Sequence, residues 1–199
     1  MANSGIFSVN DIVDLKNNRQ FPSGDSLELI QTQTATEVQN LTFSEIAEDK
    51  YRIHFMTMTN MTTVNGGSMT TGIRFLESGY LESGSNYDYA NRGVSVTDVA
   101  AGNGGTGTSI YMNNTGSENW VQCYYAYFYN LGDSHLHSHV TWHRTGHRIN
   151  TSGNYNTSGT YMLVGGGVLK QRSKVDGIVI YNSAFGESGT YSLYGIRGS

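Results

Sequence analysis

Histidines are the residues of this sequence whose spacing suits them for chemistry. Four of them occupy odd-numbered positions of one short segment: His135, His137, His139 and His143. Because successive side chains of a β-strand point to opposite faces, a strand here would place all four imidazoles on one face. Leu136, Val140 and Trp142 are then expected to face the core. Neutral imidazole is a common ligand of zinc, nickel and iron, so this histidine row is a candidate transition-metal site.

Two other interpretations of the histidine row stay open. One is a solvent-facing strand that is simply rich in histidine, because no cysteine or carboxylate set accompanies the row and Asp133 is the nearest acid. The other is a subunit contact that responds to pH, since clustered imidazoles gain charge together at mildly acidic pH. In a trimer, a row near the three-fold axis would supply equivalent ligands from each subunit. No other cofactor is predicted.

A tyrosine-rich segment precedes the histidine row. Its tyrosines are Tyr124, Tyr125, Tyr127 and Tyr129. Aromatic rings flanked by Asn and Gly suit the recognition of carbohydrate, so these residues are a candidate glycan site. The alternative is packing in the core or in a subunit interface, with the hydroxyls at the rim. Alternation favours packing, because it buries about half of the side chains of such a strand.

Two short motifs resemble enzyme signatures but lack the surroundings that the chemistry requires. Residues 24–27 spell GDSL, in which Ser26 would be a hydrolase nucleophile, yet polar residues precede it and no histidine follows His147. Residues 102–107 match G-x-G-x-x-G, but a strand-like segment follows where a dinucleotide site needs a helix. No carboxylate pair stands out for glycoside hydrolysis. The sequence therefore predicts that the protein is not an enzyme.

Short segments of alternating polarity, separated by Gly, Ser and Asn clusters, occupy most of the chain. They predict about ten strands, at residues 27–32, 38–43, 51–56, 72–76, 108–112, 120–129, 135–143, 161–164, 175–181 and 190–196. This spacing is typical of an all-β fold, and we predict a jelly-roll-like antiparallel β-sandwich over residues 25–199. Flexible loops are predicted at residues 100–107 and 150–159.

The first 24 residues differ from the rest of the chain and predict a short N-terminal arm. Ser8 or Asn10 is suited to cap a short helix in this arm, which ends near Pro22, the only proline of the chain. An arm of this kind commonly holds a neighbouring subunit. The domain boundaries are therefore predicted at residues 1–24 for the arm and 25–199 for the sandwich.

Composition argues against several functional classes. Charged residues make up only 14% of the chain, the net charge is −4 and no run of Lys or Arg occurs, so a nucleic-acid partner is not expected. No segment has the form of a signal peptide or approaches transmembrane length, which predicts synthesis in the cytoplasm without membrane insertion. The single cysteine, Cys123, has no internal partner and is expected to be a small buried hydrophobe.

Five short segments carry a resemblance to a known group of proteins. They are residues 26–34 (SLELIQTQT), 41–43 (LTF), 51–55 (YRIHF), 176–180 (DGIVI) and 189–196 (GTYSLYGI). This plan resembles small particle proteins of marine tailed phages, especially those of cyanobacteria, which end in Gly-Thr, then Leu-Tyr-Gly-Ile. The resemblance implies a jelly-roll-like sandwich, often trimeric, on the capsid or tail of the virion. It implies no catalytic residues, and the histidine row departs from the family's pattern.

The leading hypothesis is a structural component of a bacteriophage virion, made in the host bacterium, either a capsid decoration or a tail fibre or spike component. It would act by oligomeric packing, as a homo-oligomer, with the trimer expected, and against other virion proteins. Such a low-charge β-domain needs neighbours to cover its sheet edges. The alternatives are a tail module that recognises a host surface glycan through its Tyr and Trp faces, and a trimeric tip that a metal stabilises at the histidine row.

Overall fold

The computed structural model describes residues 27–63, 69–95, 102–115, 120–148, 160–182 and 187–197. Within these residues the chain forms thirteen β-strands and no helix, and hence no helix that would cross a membrane. The strands are β1 (Leu27–Val38), β2 (Asn40–Ser44), β3 (Ile53–Thr63), β4 (Met69–Glu77), β5 (Tyr80–Leu81), β6 (Tyr87–Ser95), β7 (Asn103–Gly107), β8 (Ile110–Thr115), β9 (Trp120–Tyr129), β10 (His137–Arg148), β11 (Tyr161–Arg172), β12 (Gly177–Asn182) and β13 (Glu187–Ile196). The predicted arm at residues 1–24, the serine of the GDSL motif and the predicted loop at residues 150–159 lie outside the described residues.

Two antiparallel sheets make up the fold. The larger sheet has eight strands in the order β1-β13-β3-β9-β10-β11-β6-β7. The smaller sheet has the order β2-β12-β4-β5, and β8 also pairs with β4. The chain passes repeatedly between the sheets, because β1 and β3 belong to the larger sheet while β2 and β4 belong to the smaller one. The all-β antiparallel sandwich predicted from the sequence is confirmed.

All ten strands predicted from the alternating segments are present, and the described residues form three more. The sequence reasoning missed β5, β6 and β7. The prediction of a flexible loop was wrong for β7, which pairs with β6 from Asn103↔Asn91 to Gly107↔Tyr87. Its sequence NGGTG carries almost no side chains, so hydrophobic alternation gives no signal, yet the backbone can still form ladder hydrogen bonds.

The core lies between the sheets and combines large side chains from both. Phe43 and Phe75 come from the smaller sheet, whereas Phe128 and Trp142 come from the larger one, and all four are fully buried. The rings of Phe75 and Phe128 meet edge to face across the sandwich, with centroids 6.4 Å apart. This geometry is favourable for aromatic pairs and ties the centres of the two sheets together.

The predicted core positions around β10 are confirmed for two residues and wrong for one. Val140 and Trp142 are buried, as expected from strand alternation. Leu136 is 47% exposed, because it lies in the turn before β10 and not in the strand itself. The predicted strand therefore began too early, because residues 135 and 136 belong to the preceding turn.

Glycines on the inner side of β11 let bulky side chains lie directly against its backbone. Gly165 is the cross-strand partner of Trp142, and a Cβ on Gly165 would lie 2.3 Å from an indole carbon. A Cβ on Gly167 would similarly lie 2.5 Å from the Ile110 side chain. Gly166, between them, would place a Cβ no closer than 3.5 Å to the Val140 carbonyl oxygen. The two inner glycines therefore provide space that any larger residue would remove.

Candidate functional site

The outward side of the larger sheet forms an extensive surface with a distinct chemistry. Four adjacent strands at its centre, β13, β3, β9 and β10, alternate between buried residues and residues that point away from the core. We call the second set the outer face: Thr190, Ser192, Tyr194, Ile196, Ile53, Phe55, Thr57, Thr59, Val121, Cys123, Tyr125, Tyr127, Tyr129, His139, Thr141, His143, Thr145 and His147. This set contains no Asp, Glu, Lys or Arg.

The tyrosine-rich segment contributes to the outer face with three of its four candidate residues. Tyr125 is exposed, and Tyr127 and Tyr129 are half-buried on the same side of β9. Tyr124 points the other way and is buried in the core, where its hydroxyl donates to the Gln122 side chain at 3.0 Å. Strand alternation therefore separates Tyr124 from the other three, and it cannot belong to a surface that they form.

The aromatic rings of the outer face pack against one another. Phe55 lies at the centre, with ring centroids 4.8 Å from Tyr127, 6.0 Å from Tyr194 and 6.3 Å from Tyr125. Tyr125 also stacks on His143, with centroids 4.7 Å apart and an angle of 10° between the planes. We call these five residues the aromatic cluster. The cluster spans four strands, so it depends on the sheet order and not on any single segment.

The stack of Tyr125 on His143 shows how these rings are presented. The two residues are cross-strand neighbours, and neighbouring strands lie about 4.8 Å apart, which is close to the separation of the two rings. The rings therefore stand side by side on the sheet and each covers one face of the other. One face of each ring is therefore not open to solvent. A sugar ring stacks on an exposed aromatic face, so this arrangement is better suited to interdigitation with side chains.

The structure brings together only part of the predicted histidine row. His139 and His143 are exposed on the outer face, whereas His135 lies in the turn that precedes β10. His137 is half-buried, and its Nδ1 lies 3.2 Å from the Leu169 carbonyl oxygen. A register irregularity between His137 and His139 interrupts the regular spacing. Among the described residues no three His, Cys, Asp or Glu side chains are grouped so that they would hold a metal ion, and the metal site stays a prediction.

Cys123 lies on the outer face, and the prediction that it is buried was wrong. Its thiol is exposed, two positions before Tyr125 on the same side of β9. It borders a shallow depression of about 300 Å³ together with Val121, Thr145 and His147. The surrounding segment WVQCYYAYFY is apolar at nearly every position, so its sequence does not reveal which parity faces the core.

A polar cleft lies at the end of the sandwich beside the turn that carries His135. It has a volume of about 370 Å³, and its charged or ionisable lining residues are Glu48, Asp49, Tyr51, Arg52, Asp133 and His135. Lys174 already pairs with Glu48 at 3.2 Å and with Asp49 at 2.8 Å, and the His135 amide donates to Asp133 at 2.8 Å. Sequence reasoning missed this cleft because its walls come from distant turns.

The carboxylates of Glu77 and Glu82, on either side of the short strand β5, form a second polar group together with Gln171. The Gln171 amide nitrogen donates to both Glu77 oxygens, at 2.6 and 2.7 Å, and to Glu82 at 2.9 Å. The Ser173 hydroxyl donates to Glu77 at 2.6 Å, and the Asn86 side-chain amide donates to the Gln171 side-chain oxygen Oε1 at 3.1 Å. These hydrogen bonds connect the β4–β5 hairpin of the smaller sheet to β11 and the residue that follows it in the larger sheet. The polar group therefore has a structural role, because it joins the two sheets.

His54 is a buried histidine that the sequence did not single out. Its Nε2 donates to the Ile46 carbonyl oxygen at 2.8 Å, while Nδ1 is buried without a hydrogen-bond partner among the described residues. Burial lowers the pKa of His54, and the Ile46 hydrogen bond and the charge of Glu48 oppose this change only in part. The neutral imidazole is therefore the form that the folded protein accommodates.

We expect the protein to lose stability as the pH falls below about 6.5, the ordinary pKa of histidine. With the pKa of His54 lowered by folding, the unfolded chain binds more protons between the two pKa values. The stabilising contribution is thus fully present above the unfolded pKa and declines as the pH falls towards the folded one. Urea unfolding from about pH 8 to about pH 5 measures this dependence.

Two variants test the assignment of this pH dependence to His54. His54→Gln should flatten the fall in unfolding free energy on the acidic side, because no imidazole remains to be protonated at the buried position. His135→Gln removes an exposed imidazole in the turn before β10, outside the outer face, and should keep the wild-type slope. Identical slopes for the wild type and His54→Gln would show that other groups cause the dependence.

No protein-family model and no curated protein matches this chain. Among solved structures, the chain is similar to the CBM40 of the Ruminococcus gnavus IT-sialidase, at 7% sequence identity and a TM-score of 0.31, over 85% of this chain and 94% of that chain. It is also similar to the CBM2 module of the evolved Dit of Lactobacillus casei BL23 phage J-1, at 7% identity and a TM-score of 0.25, over 80% of this chain and 69% of that chain. Likeness at these TM-scores establishes neither a shared family nor a shared ligand.

Proposed function

We propose that this chain is a structural, non-catalytic component of a bacteriophage particle, and that it works by packing its outer face against other protein subunits. The observation that carries the proposal is the composition of the outer face, which is rich in aromatic and hydroxyl side chains and free of Asp, Glu, Lys and Arg. The centres of protein–protein interfaces are likewise depleted in charged residues and enriched in Tyr and Phe.

The positions of the exposed apolar side chains also favour the outward side of the larger sheet as the interaction surface. Six of the nine large hydrophobic residues that are exposed in the described part of the chain lie on the outward side of the larger sheet: Leu27, Leu29, Val94, Tyr125, Met162 and Val164. Single exposed hydrophobic residues are common, whereas a concentration of them on one side of a protein is typical of an interaction site.

Charged residues lie beside the four-strand outer face, on the outward side of β11 and β6, where Arg92 is the cross-strand neighbour of Val164. Lys170 on β11 pairs with Asp88 on β6 at 3.4 Å, and Arg92 lies further along β6. Both strands lie outside the four that form the outer face. An uncharged centre with a charged rim is the usual anatomy of a protein–protein interface, because rim charges stay hydrated when the centre is covered.

The resemblance to particle proteins of marine tailed phages supports placing the chain in a virion, as a capsid decoration or a tail fibre or spike component. Its most specific motif, GTYSLYGI at residues 189–196, lies in β13. Within it Tyr191 and Leu193 are buried in the core, and Tyr194 belongs to the aromatic cluster. The motif therefore serves the fold and the outer face, as expected for a protein that works by packing.

Quantitative mass spectrometry of purified particles tests this proposal. Hundreds of copies per particle would support a capsid decoration, because only the shell offers that many equivalent positions, whereas about three to a few dozen copies would support a tail component. Reaction of Cys123 with a maleimide on intact particles adds a test of the surface, since packing should protect this thiol. Absence of the chain from the particle, or an unprotected Cys123 within it, would contradict the proposal.

Glycan binding is a second candidate, supported by the hydroxyls on the outer face. Tyr125, Tyr127 and Tyr129 present phenol groups there, and the hydroxyls of Tyr129 and Thr141 lie 3.5 Å apart. Such groups can bond to sugar hydroxyls in either direction. Binding of host surface glycan by the isolated chain, lost on Tyr127→Ala, would favour this function over packing.

A further inference from the structure

The outer face is chemically complementary to itself. Its polar groups are hydroxyls of Thr, Ser and Tyr together with imidazoles, and each of these groups can both donate and accept a hydrogen bond when the imidazole is neutral. A surface with fixed charges needs a partner of opposite charge, whereas a surface with these groups can pair with an identical one. The aromatic cluster adds apolar contact that likewise requires no different partner.

Electrostatics also favour this face for contact between copies. Each chain carries a net charge of −4, so two copies repel one another over most of their surfaces. The outer face is the exception, because joining two outer faces buries no like charges. Lys170, Asp88 and Arg92, on the neighbouring strands β11 and β6, stay at the rim and have both signs.

The area of this side of the sheet is adequate for a stable pair. The four strands of the outer face, together with β1 and β11 on either side of them, span about 24 Å, and seven residues along β3 span about the same distance. Each copy thus offers about 600 Å² of flat sheet, so a pair buries about 1,200 Å² in total. The uneven surface of the side chains makes the buried accessible area larger than this flat estimate. That value reaches the range of specific protein–protein interfaces.

We propose that the partner of the outer face is a second copy of this chain, packed sheet against sheet about a two-fold axis. This inference rests on the proposed function, since it names the partner of the same surface. Packed sheets lie about 10 Å apart with interdigitated side chains, and the stacked rings of Tyr125 and His143 are exposed groups large enough to interdigitate in this way. A two-fold contact closes as a dimer or an even-numbered assembly, unlike the trimer expected from the resemblance.

Sedimentation velocity and light scattering on the full chain test the pairing. We expect the wild type to have the mass of a dimer, and Tyr125→Lys to raise the dimer dissociation constant by at least about 30-fold, because it places a cation at the centre of the interface. Thr57→Lys, at the cross-strand neighbour of Tyr125, should act similarly. Tyr80→Lys is the matched control, since Tyr80 is the most exposed large hydrophobic residue and lies on the smaller sheet.

Cys123 reports on the same contact without any mutation of the interface. It is the only cysteine of the chain, and it lies on the outer face. Its alkylation should be slow in the wild type at high protein concentration, and faster on dilution or in Tyr125→Lys. Circular dichroism and thermal unfolding of each variant separate a loss of pairing from a loss of folding.

The outcomes distinguish this inference from the proposed function. A wild-type monomer or trimer, or a dimer that Tyr125→Lys and Thr57→Lys leave intact, would overturn the two-fold pairing. If the isolated chain is monomeric but Cys123 is protected in intact particles, the second-copy inference fails and the packing function stands, with a different protein as partner. If a host oligosaccharide protects Cys123 in a monomer, glycan is the occupant and the pairing is wrong.

Discussion

Replacing Trp142 with alanine is expected to lower the free energy of unfolding by about 3–5 kcal/mol, the usual cost of truncating a large aromatic side chain in a core. Trp142 is the largest of the fully buried side chains, and its indole lies on the backbone of Gly165. Neighbouring strands cannot collapse into the vacated space, because their hydrogen-bonded pairing fixes their spacing. Urea unfolding followed by far-ultraviolet circular dichroism gives the value.

Val164→Ala is the matched control for this truncation. Val164 is the cross-strand neighbour of His143 on the outward side of β11 and is 46% exposed, so its truncation leaves no cavity in the core. We expect its effect to stay within about 0.5 kcal/mol, as for most surface substitutions. A similar loss for both variants would mean that Trp142 does not hold the two sheets together.

Replacing Gly165 with alanine is expected to cost about 1–3 kcal/mol, the range observed when an extra methyl group is forced into a packed core. The new Cβ would lie 2.3 Å from the Trp142 ring and 2.9 Å from the Asn91 Cβ, so the indole must move. Gly166→Ala is the adjacent control, because its Cβ would meet only ordinary contact distances. That variant should be neutral or slightly stabilising, since alanine reduces the freedom of the unfolded chain.

The double variant Trp142→Ala/Gly165→Ala tests whether the two residues act as a pair. Once the indole is absent, the Gly165 Cβ has space, so the combined loss should be smaller than the sum of the single losses. Strict additivity, measured in the same urea experiments, would contradict the proposed contact between the indole and the glycine.

The fold was largely predictable because most strands bury one face and expose the other. The alternation of polar and apolar residues in β10 reflects this half-burial directly, because Val140 and Trp142 are buried while Thr141 and His143 are exposed. The strand β7 has no such signal, because NGGTG forms its ladder with backbone groups alone. The order of the strands was not predictable, since pairing β13 with β1 and β3 depends on contacts between distant parts of the chain.

The candidate site was predictable along each strand but not across strands. Spacing alone placed His139 and His143 on one face, as found. It could not place Cys123 outward, because the surrounding segment is apolar on both parities. Phe55 and Tyr194, which complete the aromatic cluster, reach Tyr127 and Tyr125 only through the sheet order, and no local pattern contains that information.

The position of β13 has a consequence for when the protein can fold during synthesis. This strand is the last described element, yet it lies between β1 and β3 in the larger sheet. Until residues 187–196 have left the ribosome, β1 has no neighbour in that sheet and one edge of β3 is open. The same delay applies to the outer face, to which β13 contributes Tyr194. The surface for assembly is therefore completed only after the other twelve described strands have been synthesised, which limits premature association of nascent chains.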